Sequence, residues 1–323
     1  MDVAAAQLKL WREHPAQMVR DLFDAEPDTW QEEVLEAFPH QQKLAMKASK
    51  GPGKLQPKSM IVETPCGPRR WGDITVGDFL FGEDGAPTRV TAVFDNGDMP
   101  LYEVFFDDGT STYAGSDHLW KVRGAAERVR KCAVPYDRST RNEEVWSVLT
   151  TSQIIGRGVR NHNGRWAGRQ FEIPRHGPVR FPKIIQPLDA YVLGVWLGDG
   201  TAASGQYTSI DLDIAAEIRR RGYEVGPLID AKTGTIYGLA GELRRLGLLG
   251  LNSHERFVPK TYRYASIEQR SDILAGLMDT DGTIDADGSM EFAVTSRRLL
   301  LDLMWLVRSL GGVAVERQIK KGW

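Results

Sequence analysis

Three patterns of hydrophobic and polar positions follow one another along the chain. Apolar residues recur every three or four positions from residue 2 to about residue 38, as in TWQEEVLEAF, which predicts amphipathic helices. Short alternating runs such as SMIVETP, separated by Gly, Asp and Pro, extend to about residue 123 and predict β-strands joined by tight turns. Helical periodicity returns at Tyr191. The patterns therefore predict a helical start, an all-β middle and a second helical region.

The second helical region contains an internal repeat. VLGVWLGDG at 192–200 and LAGLMDTDG at 274–282 are apolar helices that end in Asp-Gly, and each precedes a polar β pair and a further helix. The terminal aspartates of the two helices, Asp199 and Asp281, are 82 residues apart. A period of this length indicates two copies of one unit rather than a short-period repeat array.

Composition narrows the class of protein. The chain has 323 residues, of which 41% are hydrophobic and 26% charged, so we expect about two or three globular domains and exclude disordered and collagen-like chains. No apolar run approaches the roughly 18 residues of a membrane span, and the N-terminus lacks the basic and apolar regions of a signal peptide. We expect a soluble, cytoplasmic protein. Cys66 and Cys132 form no C-x-x-C pair and are expected to be inert thiols.

Charge is unevenly distributed along the chain. The net charge of −2 by itself argues against a nucleic-acid-binding protein. Residues 63–108, however, have three Lys or Arg against ten Asp or Glu, and residues 121–185 have fourteen against five. The second stretch predicts a surface that contacts phosphate, and a solvated basic surface is the alternative.

A phosphate-loop pattern follows the first helices. Residues 48–54 match the first seven positions of a Walker A motif, in which Gly51 and Gly53 let backbone N–H groups approach phosphate and Lys54 supplies positive charge. The next position should be Ser or Thr to hold Mg²⁺, but it is Leu55. The motif therefore breaks where the helix that completes the anion site should begin.

The first 54 residues resemble the start of a phage terminase large subunit, the ATPase that packages DNA. In that family a Trp-Gln pair precedes the Walker A loop, and here Trp30 and Gln31 occupy the corresponding positions. The resemblance implies that this pair contacts adenine. The expected nucleotide-binding residues are Trp30, Gln31, Gly51, Gly53 and Lys54.

Residues 55–123 resemble the N-terminal splicing region of an intein, a self-splicing element with the Hint fold. LQPKSMIVETPCGPRRWGDITVGDFLF is similar to the opening of inteins, and GTSTYAGSDHLWKV is similar to the block that carries their splicing histidine. The resemblance implies that His118 acts as general acid on the Lys54–Leu55 amide. Supporting residues in the same block are Gly115, Asp117 and Trp120.

Two positions depart from the common intein pattern. Leu55 stands where most inteins have a Cys or Ser nucleophile, so an ordinary first acyl shift is excluded. Trp120 is typical of class 3 inteins, which use a cysteine near their C-terminal end, and a core tryptophan is the alternative. Gly115 replaces the threonine that usually helps to hold the scissile amide. Class 3 chemistry and inactivation both remain open.

Residues 191–323 resemble a LAGLIDADG homing endonuclease, whose paired motifs match 192–200 and 274–282. Two helices that cross closely need small residues at the crossing, and the motifs supply Gly194, Gly198, Ala275, Gly276 and Thr280. Each helix then presents a carboxylate at its C-terminal end, which predicts paired Mg²⁺ sites for phosphodiester cleavage. The expected metal-site residues are Asp199, Asp281, Gly198 and Thr280.

A basic residue is also expected near the two carboxylates. Members of this family carry a lysine before an Ile-Pro pair ahead of the second motif, and RFVPK places Arg256 in that position. Because arginine cannot lose a proton, we expect it to stabilise charge rather than act as a base. Lys260 is the substitute candidate for the catalytic base.

Taken together, these features predict an α+β chain. It consists of a short helical P-loop ATPase fragment, an all-β Hint-type splicing region and a two-fold pseudo-repeat αββα LAGLIDADG endonuclease. The expected domain limits are 1–54, 55–123, 124–187 and 188–323. The third segment is a basic connecting or DNA-contact region, and the fourth has a truncated second half.

The resulting hypothesis is an intein-encoded, site-specific DNA endonuclease coupled to protein splicing and inserted in the Walker A loop of a terminase. Its expected cofactor is Mg²⁺, and its expected target is the double-stranded DNA of the intein-less allele. The chain reaches Trp323 before any splicing C-terminus, so splicing is expected to require a C-terminal intein or terminase partner chain. The alternatives are a nucleotide-binding module and an inactive intein remnant.

Overall fold

The computed structural model describes residues 3–23, 26–27, 32, 35–36, 56–95, 97–124, 146–161, 168–230, 232–286 and 288–317. By its internal contacts the chain divides into two compact units, Met1–Pro52 and Gly53–Trp323. The predicted phosphate loop at 48–54 lies outside the described residues.

The first unit contains two consecutive helices, α1 (Val3–Glu13) and α2 (Pro15–Phe23). Proline is well suited to the first position of α2, because the N–H group that it lacks has no partner inside a helix there. Asp21 ties the helices together, since its Oδ2 atom accepts a hydrogen bond of 2.7 Å from the Trp11 indole. Within the described residues the predicted helical periodicity is confirmed for 3–23, and most of the predicted helix TWQEEVLEAF lies outside them.

The second unit begins with a β-rich region of short antiparallel strands. The strands are β1 (Ile61–Thr64), β2 (Gly67–Arg70), β3 (Phe79–Phe81), β4 (Pro87–Arg89), β5 (Leu101–Phe105), β6 (Ser111–Gly115), β7 (Leu119–Gly124), β8 (Ser147–Thr150), β9 (Arg160–Asn161), β10 (Gly168–Arg169) and β11 (Phe171–Glu172). Four hairpins pair β1 with β2, β3 with β4, β5 with β6 and β9 with β10, and a three-stranded sheet has the order β11-β7-β8. One helix, α3 (Thr151–Arg157), begins with a capping box between Thr150 and Gln153.

Tertiary contacts reduce the charge asymmetry along the chain. Lys121 and Arg169 of the basic stretch form ion pairs with Glu83 and Asp107 of the acidic stretch. These pairs join residues more than 35 positions apart in sequence. Part of the expected phosphate-contacting charge is therefore neutralised within the protein.

A helical region follows in the same unit. Its elements are α4 (Ala190–Asp199), β12 (Gln206–Thr208), α5 (Leu212–Arg220), β13 (Thr233–Thr235), α6 (Leu239–Arg245), α7 (Lys260–Arg263), α8 (Ile267–Asp281), β14 (Gly282–Ile284), β15 (Met290–Phe292) and α9 (Arg297–Ser309). Every residue of α4 from Ala190 to Leu197 is buried, so this helix is the centre of the hydrophobic core. No helix within the described ranges is long and apolar enough to cross a membrane.

The two sequence repeats differ in strand order. In the second copy, α8 is followed by the β14–β15 hairpin and then by α9. In the first copy, β12 pairs with β13, but α5 lies between these two strands in sequence. Asp211 caps α5, and Ile214 and Ile218 bury one face of it in the core. The adjacent polar β pair that the sequence predicted in the first copy is therefore a pair of strands separated by a helix.

Candidate functional site

Helices α4 and α8 cross at very short range. A Cβ atom built on Gly194 would lie 3.1 Å from the Cα atom of Gly276, and one built on Gly276 would lie 2.8 Å from the backbone nitrogen of Val195. Such separations are shorter than side chains allow, so only glycine fits at the crossing. Gly194 therefore lies against Gly276, and Gly198 lies against Thr280, whereas Ala275, also expected at the crossing, is exposed.

The crossing brings the C-terminal ends of the two helices together. Asp199 is the last residue of α4, and Asp281 is the last residue of α8. A Cβ atom built on Gly198 would lie 3.4 Å from Oδ2 of Asp281 and 2.9 Å from Cβ of Thr280. Both aspartates are partly buried. The structure thus places the four expected metal-site residues at one location.

The electrostatic environment of the aspartates favours a bound cation. Burial raises the pKa of Asp199, and burial together with the negative charge of Asp199 raises the pKa of Asp281. Arg256 opposes both shifts. Two partly buried carboxylates that repel each other bind a hard divalent cation well, because the cation removes the repulsion and replaces lost solvation. The residues present therefore fit Mg²⁺.

Protein side chains supply only part of a metal coordination sphere here. No group of three or more His, Cys, Asp or Glu side chains suited to a metal occurs among the described residues. Mg²⁺ prefers six oxygen ligands and usually retains several waters, with one or two carboxylates and often a phosphate as the others. The pair Asp199 and Asp281 is compatible with that mode of binding.

Replacing both aspartates should stabilise the metal-free protein at neutral pH. Burial raises the pKa of both carboxyl groups, so the folded protein is more stable when they are protonated. As the pH rises through the raised pKa values, the carboxyl groups ionise and this part of the folding stability is lost. The Asp199→Asn, Asp281→Asn variant remains neutral and avoids that loss. Thermal unfolding in EDTA should show a higher Tm than the unchanged protein at pH 7 and a smaller difference at pH 4. Equal Tm values at pH 7 would contradict the assigned burial.

Arg256 lies at the end of α4 and is buried, with 4% of its surface exposed. Its Nη1 atom donates hydrogen bonds to the carbonyls of Trp196, Leu197 and Gly198 at 3.2, 3.0 and 2.7 Å. Its Nη2 atom donates to the carbonyl of Gly200. The guanidinium therefore bonds the carbonyls of Leu197, Gly198 and Gly200, shares the Trp196 carbonyl with the Gly200 amide, and offsets the negative end of the helix dipole.

Lys260 occupies a different environment. It is exposed at the start of α7, and its Nζ atom lies over the ring of Tyr264 at 5.8 Å. None of its described contacts is with Asp199 or Asp281. The structure brings Arg256 to the paired carboxylates and does not bring Lys260 into contact with them.

The second group of expected site residues lies in the β-rich region. His118 is buried in the turn between β6 and β7, and its ring packs edge-on against Trp120 with centroids 4.6 Å apart. Gly115 ends β6 opposite Leu101, and Asp117 is exposed. The expected junction residues Lys54 and Leu55, like Trp30, Gln31, Gly51 and Gly53, lie outside the described residues.

Thr151 is a site residue that sequence reasoning missed. Its hydroxyl accepts a hydrogen bond of 3.0 Å from the Trp120 indole, and its backbone N–H donates to the His118 carbonyl at 3.0 Å. The capping pattern Thr150-x-x-Gln153 predicts the start of a helix at this position, but no local signal indicates the contact with Trp120. Trp120 is half-buried, and this hydrogen bond orients its indole against the start of α3.

Comparisons with known proteins identify similarity to a DNA replication protein. No family model matches the chain. It is 34% identical to the replicative DNA helicase DnaB of Mycobacterium intracellulare over 277 residues, which cover 83% of this chain and 44% of that protein. It is also 37% identical over 90 residues to DnaB of Mycobacterium leprae and 26% identical over 233 residues to DnaB of a Nostoc species, which cover 28% and 60% of this chain.

The chain spans less than half the length of each of these relatives, with 44%, 15% and 26% of them aligned. Their names contradict the sequence-based identification of an intein with a LAGLIDADG homing endonuclease in a terminase. They also contradict the endonuclease activity and its coupling to splicing. The physical reason is that the paired motifs specify a close helix crossing and two adjacent carboxylates, and neither feature determines which reaction, if any, follows.

Proposed function

We propose that Asp199 and Asp281 hold Mg²⁺ and that the region 188–323 binds double-stranded DNA. The observation that carries this proposal is the pair of partly buried carboxylates at the adjoining ends of α4 and α8. The two carboxylates would hold Mg²⁺, which would supply positive charge beside a phosphate group. Arg256 keeps the end of α4 in position beside them.

Two further observations support DNA as the partner. The three relatives are named DNA helicases. In this chain, β14 begins directly after Asp281, and a β-bridge joins Gly200 to Tyr207 of β12, so strands flank the carboxylate pair on both sides. Hydroxyl and carboxylate side chains on strands can hydrogen-bond to base edges, and Thr208 and Glu291 are exposed on these strands.

The proposed organisation of the chain is α+β. We propose that an all-β Hint-type region at 55–123 and a connecting segment at 124–187 precede a two-fold pseudo-repeat at 188–323. Exposed cations of the connecting segment extend the surface available to phosphate, and these are Arg157, Arg160, Arg175, Arg180 and Lys183. Unlike Lys121, none of the five has a carboxylate partner at ion-pair distance among the described residues.

Calorimetric titration with Mg²⁺ tests the metal site. The Asp199→Asn, Asp281→Asn variant should bind Mg²⁺ on the order of tenfold more weakly or not at all, because each change removes a ligand charge and keeps the shape of the helix end. The matched control carries Asp98→Asn and Asp213→Asn, which alter two exposed aspartates. An unchanged Mg²⁺ affinity in the site variant would exclude Asp199 and Asp281 as ligands.

Fluorescence anisotropy with a labelled duplex tests DNA binding in the same protein preparations. The logarithm of the affinity should fall with the logarithm of the salt concentration, with a slope of about −0.9 for each phosphate contacted. A flat dependence would contradict phosphate contact. Binding of a fluorescent ATP analogue that is lost in Lys54→Ala and unaffected by the aspartate changes would instead favour the nucleotide-binding alternative, which the helicase names of the relatives support.

A further inference from the structure

Four aromatic side chains join the β-rich region to the helical region. Phe81 of β3 packs edge-on against Phe181 with centroids 5.1 Å apart. Phe181 in turn contacts Tyr264 and Trp305 at 5.2 and 5.9 Å, and the last two rings are 5.0 Å apart. Phe181 is buried and lies on the extended segment 173–186, which connects the two regions. We call this segment the strap.

Glu63 of β1 adds polar contacts across the same boundary. Its Oε1 atom accepts a hydrogen bond of 3.1 Å from the Trp305 indole, and its Oε2 atom accepts one of 3.2 Å from the Tyr264 hydroxyl. Burial and the Glu63 charge raise the pKa of Tyr264 to about 12. Hydrogen bonds to a carboxylate are stronger than those between neutral groups, so they fix the orientation of both rings relative to β1.

Arg270 of α8 completes the junction between the two regions. It is fully buried and donates hydrogen bonds to the Ala265 carbonyl, the Ser309 hydroxyl and the Val179 carbonyl, and its guanidinium lies 5.2 Å over the Phe181 ring. Burial lowers its pKa to about 10. A buried cation bonded to neutral oxygens is costly unless every bond is made. Arg270 therefore favours only the arrangement in which α8, α9 and the strap are in contact.

Backbone contacts hold the strap on both sides. The amides of Gly177 and Arg180 donate to the carbonyls of Glu83 and Gly85 in the β3–β4 turn, at 2.7 and 2.8 Å, and the amide of Val179 donates to the carbonyl of Ser309 at 2.8 Å. Gly85 has a φ of +74°, and a Cβ atom there would overlap the carbonyl group of Pro178. The β-rich region, the strap and the end of α9 are thus joined through main-chain atoms.

We propose that this junction sets the position of α8 and thereby the position of Asp281 beside Asp199. Arg270 and Asp281 lie on one continuous helix, about 16 Å apart at 1.5 Å per residue, and a helix transmits a shift at one end to the other. The β-rich region is then part of the scaffold of the carboxylate pair. The effect on metal binding rests on the proposed function, whereas the effect on the position of Asp281 does not.

The test compares Phe181→Ala with Phe105→Ala. Phe105 is 72% exposed on β5 and serves as the matched control. NMR follows the Trp305 indole signal, identified with Trp305→Phe, together with the backbone amide signals of Asp199 and Asp281 in metal-free protein. In Phe181→Ala all three signals should shift and Mg²⁺ affinity should fall severalfold, whereas Phe105→Ala should change none of them.

A moved Trp305 signal with unmoved Asp199 and Asp281 amides would overturn the proposal, because the junction would then change without affecting the carboxylates. If the unchanged protein binds no Mg²⁺, the metal site fails, and the amide shifts still decide the structural coupling. If Phe181→Ala does not fold, Glu63→Gln replaces it, since it keeps the side-chain shape and weakens only the two hydrogen bonds. If Glu63→Gln shifts the Trp305 indole signal and leaves the Asp281 amide signal in place, the proposed coupling between the junction and Asp281 is again rejected.

Discussion

Gly276→Ala should lower the free energy of unfolding by about 2–3 kcal/mol, as overpacking of a tightly packed core does. The added methyl group would lie 2.8 Å from the backbone nitrogen of Val195 and 3.1 Å from the carbonyl carbon of Gly194. Both atoms belong to the backbone of α4, so no side-chain rotation removes the overlap and the two helices must separate. Urea unfolding monitored by circular dichroism measures the effect.

Gly241→Ala is the matched control for this change. Gly241 is an exposed glycine within α6, and a Cβ atom there has no neighbour within 4 Å. Alanine favours the helix more than glycine by about 1 kcal/mol, so this variant should be slightly more stable than the unchanged protein. Two glycine-to-alanine changes should therefore have effects of opposite sign. A neutral result at Gly276 would mean that α4 and α8 are not in backbone contact.

Arg256→Met should cost about 3 kcal/mol of stability, because methionine keeps an unbranched apolar stem but lacks the guanidinium and leaves buried carbonyls without donors. The carbonyls of Leu197 and Gly198, just before Asp199, lose their donor, whereas the Trp196 carbonyl keeps the Gly200 amide. The loss should therefore appear both in unfolding measurements and as altered amide signals at the end of α4. Arg256→Lys should restore only part of the stability, since an ammonium group cannot reproduce the fork of the guanidinium.

The control for Arg256 is Arg244→Met. Arg244 is exposed in the last turn of α6, where an arginine contributes only a few tenths of a kcal/mol through the helix dipole. If Arg256→Met and Arg244→Met lose the same stability, the buried hydrogen bonds of Arg256 contribute no more than an exposed arginine does.

Local sequence specifies which residues form the carboxylate pair. Gly194 and Gly276 lie within apolar helices that each end in aspartate, and the helical repeat places the small residues on one face. When such faces pack, the helix ends meet. The close crossing of α4 and α8 was therefore predictable from the spacing within each helix, and a metal ion at the adjoining helix ends stays a prediction.

Other features depend on contacts that no local pattern contains. The first repeat separates β12 from β13 by α5, and the ion pair of Lys121 with Glu83 cancels charge that the sequence shows as separate blocks. The assignment of the chain to an intein and a terminase was wrong, because short motifs report local packing and charge and are compatible with several functions. The similarity to proteins named replicative DNA helicases corrected this assignment, and the geometry of the motifs did not.

By itself, the sequence determined where the two core helices run, which residues permit their close approach and which carboxylates end them. Three contacts were decided by the tertiary structure alone. Arg256 caps α4 from a loop 56 residues beyond Gly200. Thr151 accepts a hydrogen bond from Trp120, and Glu63 accepts one from Trp305, 242 positions away. The physical reason is that helix periodicity and small-residue spacing are encoded within about ten neighbouring residues. The partner of a buried charge or indole is instead chosen by the folded chain, from all groups that packing brings within hydrogen-bonding distance.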